Sequence, residues 1–149
     1  MFNDLIPMLI CRDVQESLRF YRDVLGFRVR GRMDDVGRNG WASIECGKAA
    51  LMLASPTYIP VPPLIEGRNP QAIHYFYPRD LDAVRRRVID AGWPAGEIEE
   101  RFYGMREFEV VDPSGHVLCF GQDVPEQPDG TSQTRSREAE AEDTAGSGG

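Results

Sequence analysis

Asp112-Pro113-Ser114-Gly115-His116-Val117-Leu118-Cys119-Phe120 reads as a tight turn that opens a strand. Pro presets φ, Asp can bond its own backbone, and Gly tolerates positive φ, so Asp-Pro-Ser-Gly is turn chemistry. Its flanks, Glu107 to Val111 and His116 to Phe120, carry the apolar and β-branched residues of strands. A similar unit, Glu45-Cys46-Gly47-Lys48-Ala49-Ala50-Leu51-Met52-Leu53, stands roughly seventy residues earlier. The echo predicts an internal duplication.

The segments upstream of each turn agree. Leu5 to Cys11 is a short apolar run that reads as a strand, with Pro7 demanding an unpaired N–H side or a bend. Asp13, with Glu16 three residues on, fits a helix-capping box. Val14, Leu18, Tyr21 and Leu25 then share one helical face, and Gly26 ends the helix. Phe27 to Met33, Gly40 to Cys46 and Lys48 to Ala54 follow as strands, with Asp34 to Asn39 a polar turn. The second copy repeats this order: strand Gln71 to Tyr77, cap Asp80, apolar face Leu81, Val84, Val88 and Ala91, stop Gly92, and strands Glu97 to Tyr103, Arg106 to Val111 and His116 to Gln122. The expected fold is α+β: one domain over 1–122, built from two tandem β-α-β-β-β modules (4–54 and 71–122). A proline-rich linker, 55–70, blocks both helix and ladder between them.

The formal charge of −7 is mostly a tail property. Residues 123–149 hold seven acids and two bases, −5, so 1–122 carries the remaining −2. That tail has almost no apolar residues and no periodicity, and is expected to be disordered. A nearly balanced body lacks the basic surface that nucleic acid requires. No stretch is apolar enough to span a membrane, and residues 1–11 do not read as a signal peptide. Three cysteines, Cys11, Cys46 and Cys119, lack metal-type spacing and read as reduced thiols, so the expected compartment is the cytoplasm.

The entry Arg12-Asp13-Val14, the segment Phe20-Tyr21-Arg22-Asp23-Val24-Leu25-Gly26-Phe27 and the turn Asp112-Pro113-Ser114-Gly115 resemble the vicinal oxygen chelate superfamily, over about residues 4–122. Its members include glyoxalase I, extradiol dioxygenases, and fosfomycin and bleomycin resistance proteins. The resemblance implies a cup-shaped curved sheet, with helices on its outer face and a ligand cavity on its inner face. In metal-dependent members His, Glu or Gln ligands lie on the first and last strands of each module. Seven residues before each capping Asp gives Ile6 and Ile73, and four after each turn glycine gives Leu51 and Cys119. Three aliphatics and one thiol are not a donor set for a hard divalent cation. The resemblance therefore implies a binder without cofactor or metal, like the bleomycin resistance proteins, which sequester a drug in clefts shared by two subunits. A homodimer is expected. The alternative is a glyoxalase- or dioxygenase-like enzyme with a displaced metal site.

Strand alternation assigns Ile6, Met8, Trp41, Ser43, Leu51, Leu53, Ile73, Tyr75, Glu107, Glu109 and Cys119 to the concave face, with Tyr103 and Arg106 at its rim. Of these, Met8, Trp41, Ser43, Leu53, Tyr75, Tyr103, Arg106, Glu107, Glu109 and Cys119 are the candidate ligand-binding residues. Trp41 and Glu109 stand six residues before their turn glycines, and an aromatic plane with a carboxylate suits a flat or cationic ligand. His74 is expected on the helix-facing side, His116 in solvent, and Cys119 as an inert thiol.

Overall fold

The computed structural model describes residues 1, 3–33, 40–57 and 72–125. The Asp34 to Asn39 turn, most of the linker and nearly all of the tail lie outside the described residues. The elements run β1 (Met8–Ile10), α1 (Val14–Arg19), β2 (Arg28–Arg32), β3 (Trp41–Cys46), β4 (Ala49–Ala54), β5 (His74–Phe76), α2 (Leu81–Asp90), β6 (Glu99–Glu100), β7 (Met105–Val111) and β8 (Val117–Asp123). They form two four-stranded sheets of identical order, β1-β4-β3-β2 and β5-β8-β7-β6. In each, the first strand pairs in parallel with the last and the other pairs are antiparallel. The duplication read from the sequence is therefore a duplication of topology.

Local chemistry sets the helix ends. Asp13 Oδ1 accepts from the backbone N–H groups of Gln15 (3.0 Å) and Glu16 (3.1 Å), and Asp80 Oδ1 from that of Ala83 (2.9 Å). Glu16 does not complete a capping box; its carboxylate takes the Arg12 guanidinium instead. α1 widens into a π-helical turn, Phe20–Val24, that carries Tyr21 and Val24 inward. Gly26 (φ +82°) stops it, and Arg87 packs against that glycine while donating to the Val24 carbonyl (2.8 Å).

One core serves both modules. Tyr21, Phe27, Phe76, Phe120 and Phe108 form a chain of ring contacts, with successive centroids 5.5, 6.2, 5.2 and 5.1 Å apart. The Phe27–Phe76 step crosses from the first module to the second. A buried polar tie reinforces it: Tyr21 donates to Asp112 Oδ2 (2.8 Å), while Asp112 Oδ1 accepts from the N–H groups of Ser114 (2.9 Å) and His116 (2.8 Å). Three donors compensate the burial of that carboxylate. The same hairpin grips the first module again through Arg12 N–H to Ser114 Oγ (3.0 Å), the Arg12 guanidinium to the Pro113 carbonyl (3.4 Å) and His116 Nε2 to the Ile10 carbonyl (2.8 Å). His116 is thus half-buried and bonded, not left in solvent as its place beside a turn suggests.

The two hairpins differ in a way that corrects one expectation. Cys46 pairs with Ala49, so only Gly47 and Lys48 form the first turn. Val111 pairs with Val117, so five residues form the second. Counting four from each glycine therefore lands on opposite faces. Cys119 faces the same side as Tyr75 and Glu109, its cross-strand partners. Leu51 pairs with Ile44 and joins the helix-facing core, and Met52 holds the position equivalent to Cys119. A one-residue offset exchanges the faces of a strand.

Candidate concave binding site

The second module builds the polar half of the concave face. β5, β8 and β7 set Tyr75, Cys119 and Glu109 in one cross-strand row. The next row holds Gly121 opposite Glu107. Gly121 is there for Tyr75: a Cβ built on it would overlap the phenol and lie 2.8 Å from Cε1. Without that Cβ the ring crosses β8 and its hydroxyl donates to Glu107 Oε1 at 2.6 Å. Tyr103 donates to the same oxygen at 2.7 Å, and Arg101 Nε to Oε2 at 3.2 Å. Arg101 also pairs with Glu99 at 3.0 Å, which holds the guanidinium between two carboxylates.

Glu107 is only 6% exposed in its side chain. The side chains that bond it form its cover. Burial pushes its carboxyl up, but the hydrogen bonds from Tyr75, Tyr103 and Arg101 outweigh that, and the net shift is downward. Tyr75 moves up through burial and its bond to Glu107, and Tyr103 moves up mainly through its own bond to that carboxylate. Burial, with Glu107 and Glu109 nearby, raises the Cys119 thiol to about 11. An anchored anion and a protonated thiol make a rigid recognition surface and weak acid–base or nucleophilic groups at neutral pH. Glu109 is the free carboxylate: it is exposed, and its side chain has no hydrogen-bond or ion-pair partner among the described residues.

The first module supplies the less polar half. Met8, Met52 and Ser43 form a cross-strand row, and Trp41 lies one row on, opposite Ala54. The Trp41 ring lies over Gly31, with Cζ3 3.9 Å from where a Cβ would be. Register makes Ser43 the counterpart of Glu109, and Trp41 that of Glu107, so counting six back from each glycine does not pair Trp41 with Glu109.

Eight of the ten candidate binding residues sit on or beside this face: Met8, Trp41, Ser43, Tyr75, Tyr103, Glu107, Glu109 and Cys119. Two do not. Leu53 pairs with Ala42 and Leu9 and is fully buried under α1. Arg106 pairs across the sheet with Gln122 and turns to α2, where its guanidinium meets Asp82 at 3.1 and 3.2 Å. Arg101, Met52 and Gly121 were not singled out from the sequence. A glycine inside a strand pattern does signal close approach, and Gly121 carries that signal. His74 faces the helices, paired with Leu118.

The sequence profile of the Glyoxalase/Bleomycin resistance protein/Dioxygenase superfamily matches residues 6–120. The chain belongs to that superfamily. Solved structures of the superfamily's fold are similar to it over most of its length. Lactoylglutathione lyase from Agrobacterium tumefaciens aligns at 21% identity with a TM-score of 0.61, covering 80% of this chain and 93% of that one. TioX from Micromonospora sp. ML1 aligns at 19% identity with a TM-score of 0.64, covering 82% and 100%. A glyoxalase/bleomycin resistance protein/dioxygenase from Nocardioides aligns at 18% identity with a TM-score of 0.64, covering 87% and 89%. A search of curated proteins finds no significant match.

Superfamily membership raises the question of a metal. With the register corrected, the four ligand positions hold Ile6, Met52, Ile73 and Cys119. Two aliphatics, a thioether and a thiol raised to about 11 do not fit a divalent cation. Among the described residues no three His, Cys, Asp or Glu side chains converge to hold one elsewhere. Among those residues, too, no helix is long and apolar enough to cross a membrane.

Proposed function

We propose that this chain is a small-molecule-binding protein that holds its ligand on the concave face without a metal. The observation that carries this reading is the strand register that puts Met52 and Cys119 in the last-strand ligand positions, beside Ile6 and Ile73 seven residues before the capping Asp13 and Asp80. What remains on that face is an aromatic plane (Trp41), apolar thioethers (Met8, Met52), a rigid phenol–carboxylate cluster (Tyr75, Tyr103, Glu107) and one free carboxylate (Glu109). Such a mixture of apolar walls and a few fixed polar groups suits a small-molecule pocket. Stacking on Trp41 and charge pairing with Glu109 favour a flat or cationic ligand. The protein works as a homodimer in this reading, because Met8 leaves apolar surface (40% exposed) that a second subunit covers.

The test is a thermal-shift screen of planar cationic compounds in the presence of EDTA, followed by calorimetry on the hits. The reading expects stoichiometric binding, quenching of Trp41 fluorescence, about tenfold weakening by Glu109→Gln, and no change in the ligand after prolonged incubation. Binding that requires added metal, or turnover of the ligand, would contradict it.

A further inference from the structure

A cavity of about 1150 Å³ lies in the crevice where the first module meets the free edge of β5. Leu5, Pro7 and Ala49 line one side, and Phe76, Tyr77 and Val84 the other. Of the concave face, Ile73 and Tyr75 on β5 border it, whereas Ile6, Met52, Cys119, Trp41 and Glu109 do not, so the two places meet only along that edge strand. Its charged lining is of one sign. Lys48 and Arg79 border it and no carboxylate does, in a chain whose formal charge is −7. Both cations are exposed, and neither side chain has an ion-pair or hydrogen-bond partner among the described residues. Asp80, next to Arg79, is spent on capping α2. Apolar walls with unpaired cations match one ligand chemistry: an apolar body with an anionic head group.

We propose that this crevice binds an amphipathic anion, its apolar part between the Pro7 and Phe76 walls and its carboxylate or sulfonate beside Lys48 and Arg79. Cys46 gives a built-in reporter. It borders the crevice and is exposed, whereas Cys11 and Cys119 are buried.

Decanoate is the probe, measured by calorimetry on the full chain at low and high salt. The expected result is saturable one-to-one binding that weakens about tenfold in the Lys48→Glu/Arg79→Glu variant and also weakens as salt rises. Decylammonium should bind more weakly than decanoate. Labelling Cys46 with a bulky maleimide should block decanoate, whereas Glu109→Gln should leave it unchanged. Equal binding of decylammonium, wild-type affinity in the charge-reversed variant, or sensitivity to Glu109→Gln but not to the Cys46 label would overturn the proposal. So would a lack of binding with Cys46 slow to react, which would mean a crevice closed in solution. A planar cation bound on the concave face should keep its affinity in the Lys48→Glu/Arg79→Glu variant, so the two sites fail separately.

Discussion

Gly121→Ala tests the architecture of the concave face with a single methyl group. That methyl would overlap the Tyr75 phenol, so the ring must leave β8. The hydroxyl then loses its 2.6 Å bond to Glu107, whose side chain is 6% exposed. A hydrogen bond to a charged group contributes about 1.5–3 kcal/mol. Tyr75 is 36% exposed, and solvent screening moves the loss to the low end of that range. Replacing glycine at ordinary backbone angles returns about 0.4–1 kcal/mol through the unfolded state. The net expectation is a destabilisation of about 1 kcal/mol at pH 7, read from urea unfolding. In a Tyr75→Ala background the clash is absent, and the same substitution should become neutral or slightly stabilising. The pH dependence follows from Glu107, whose folded-state pKa is lowered. Its stabilisation is present above the unfolded carboxyl value, near 4.3, and is lost as pH falls through the lower folded value. Gly121→Ala should therefore raise the Glu107 pKa by carboxyl NMR, and its cost should shrink below pH 4. An equal cost with and without the Tyr75 ring would refute the reasoning.

Tyr21→Phe removes one of three donors to buried Asp112 and should cost about 1.5–3 kcal/mol in denaturant unfolding, against a few tenths for a surface change. Leu53→Ala should cost about 2–5 kcal/mol as a core truncation while leaving concave-face binding intact, and loss of binding at unchanged stability would return Leu53 to the pocket. Ile6→His, Met52→Glu, Ile73→His and Cys119→Glu combined should create a site that takes up Ni²⁺ or Mn²⁺ by calorimetry. Exchanging Met52→Glu for Leu51→Glu should instead bury a carboxylate in the core and prevent folding. At pH 7.5 a thiol reagent should modify Cys46 promptly, with Cys11 and Cys119, both raised to about 11 by burial first of all, reacting only on unfolding.

The module order, the caps Asp13 and Asp80 and the stops Gly26 and Gly92 were legible because each rests on chemistry within a few residues. The faces of the second sheet were legible too, since Gly115 and the strand it opens keep a simple count to Cys119. The first sheet was misread at Leu51 and Leu53 because its hairpin is shorter by three residues, and alternation alone separates two faces without saying which is inner. Arg106 departs from its expected place at the rim for a different reason: it alternates with Glu107 on β7, and Asp82 of α2 draws its guanidinium to the helix side. The π-helical turn left no mark in the Val14, Leu18, Tyr21, Leu25 spacing. The Tyr75–Glu107–Tyr103–Arg101 cluster joins three segments, and only the folded chain brings them together.

The most direct test of metal-free binding is elemental analysis of protein purified without chelator, alongside thermal unfolding with EDTA and with added Mn²⁺, Ni²⁺ or Zn²⁺. The strand register predicts far less than one divalent metal per chain and a midpoint that none of these additions moves. A metal content near one per chain, lost with EDTA together with stability or ligand binding, would contradict it.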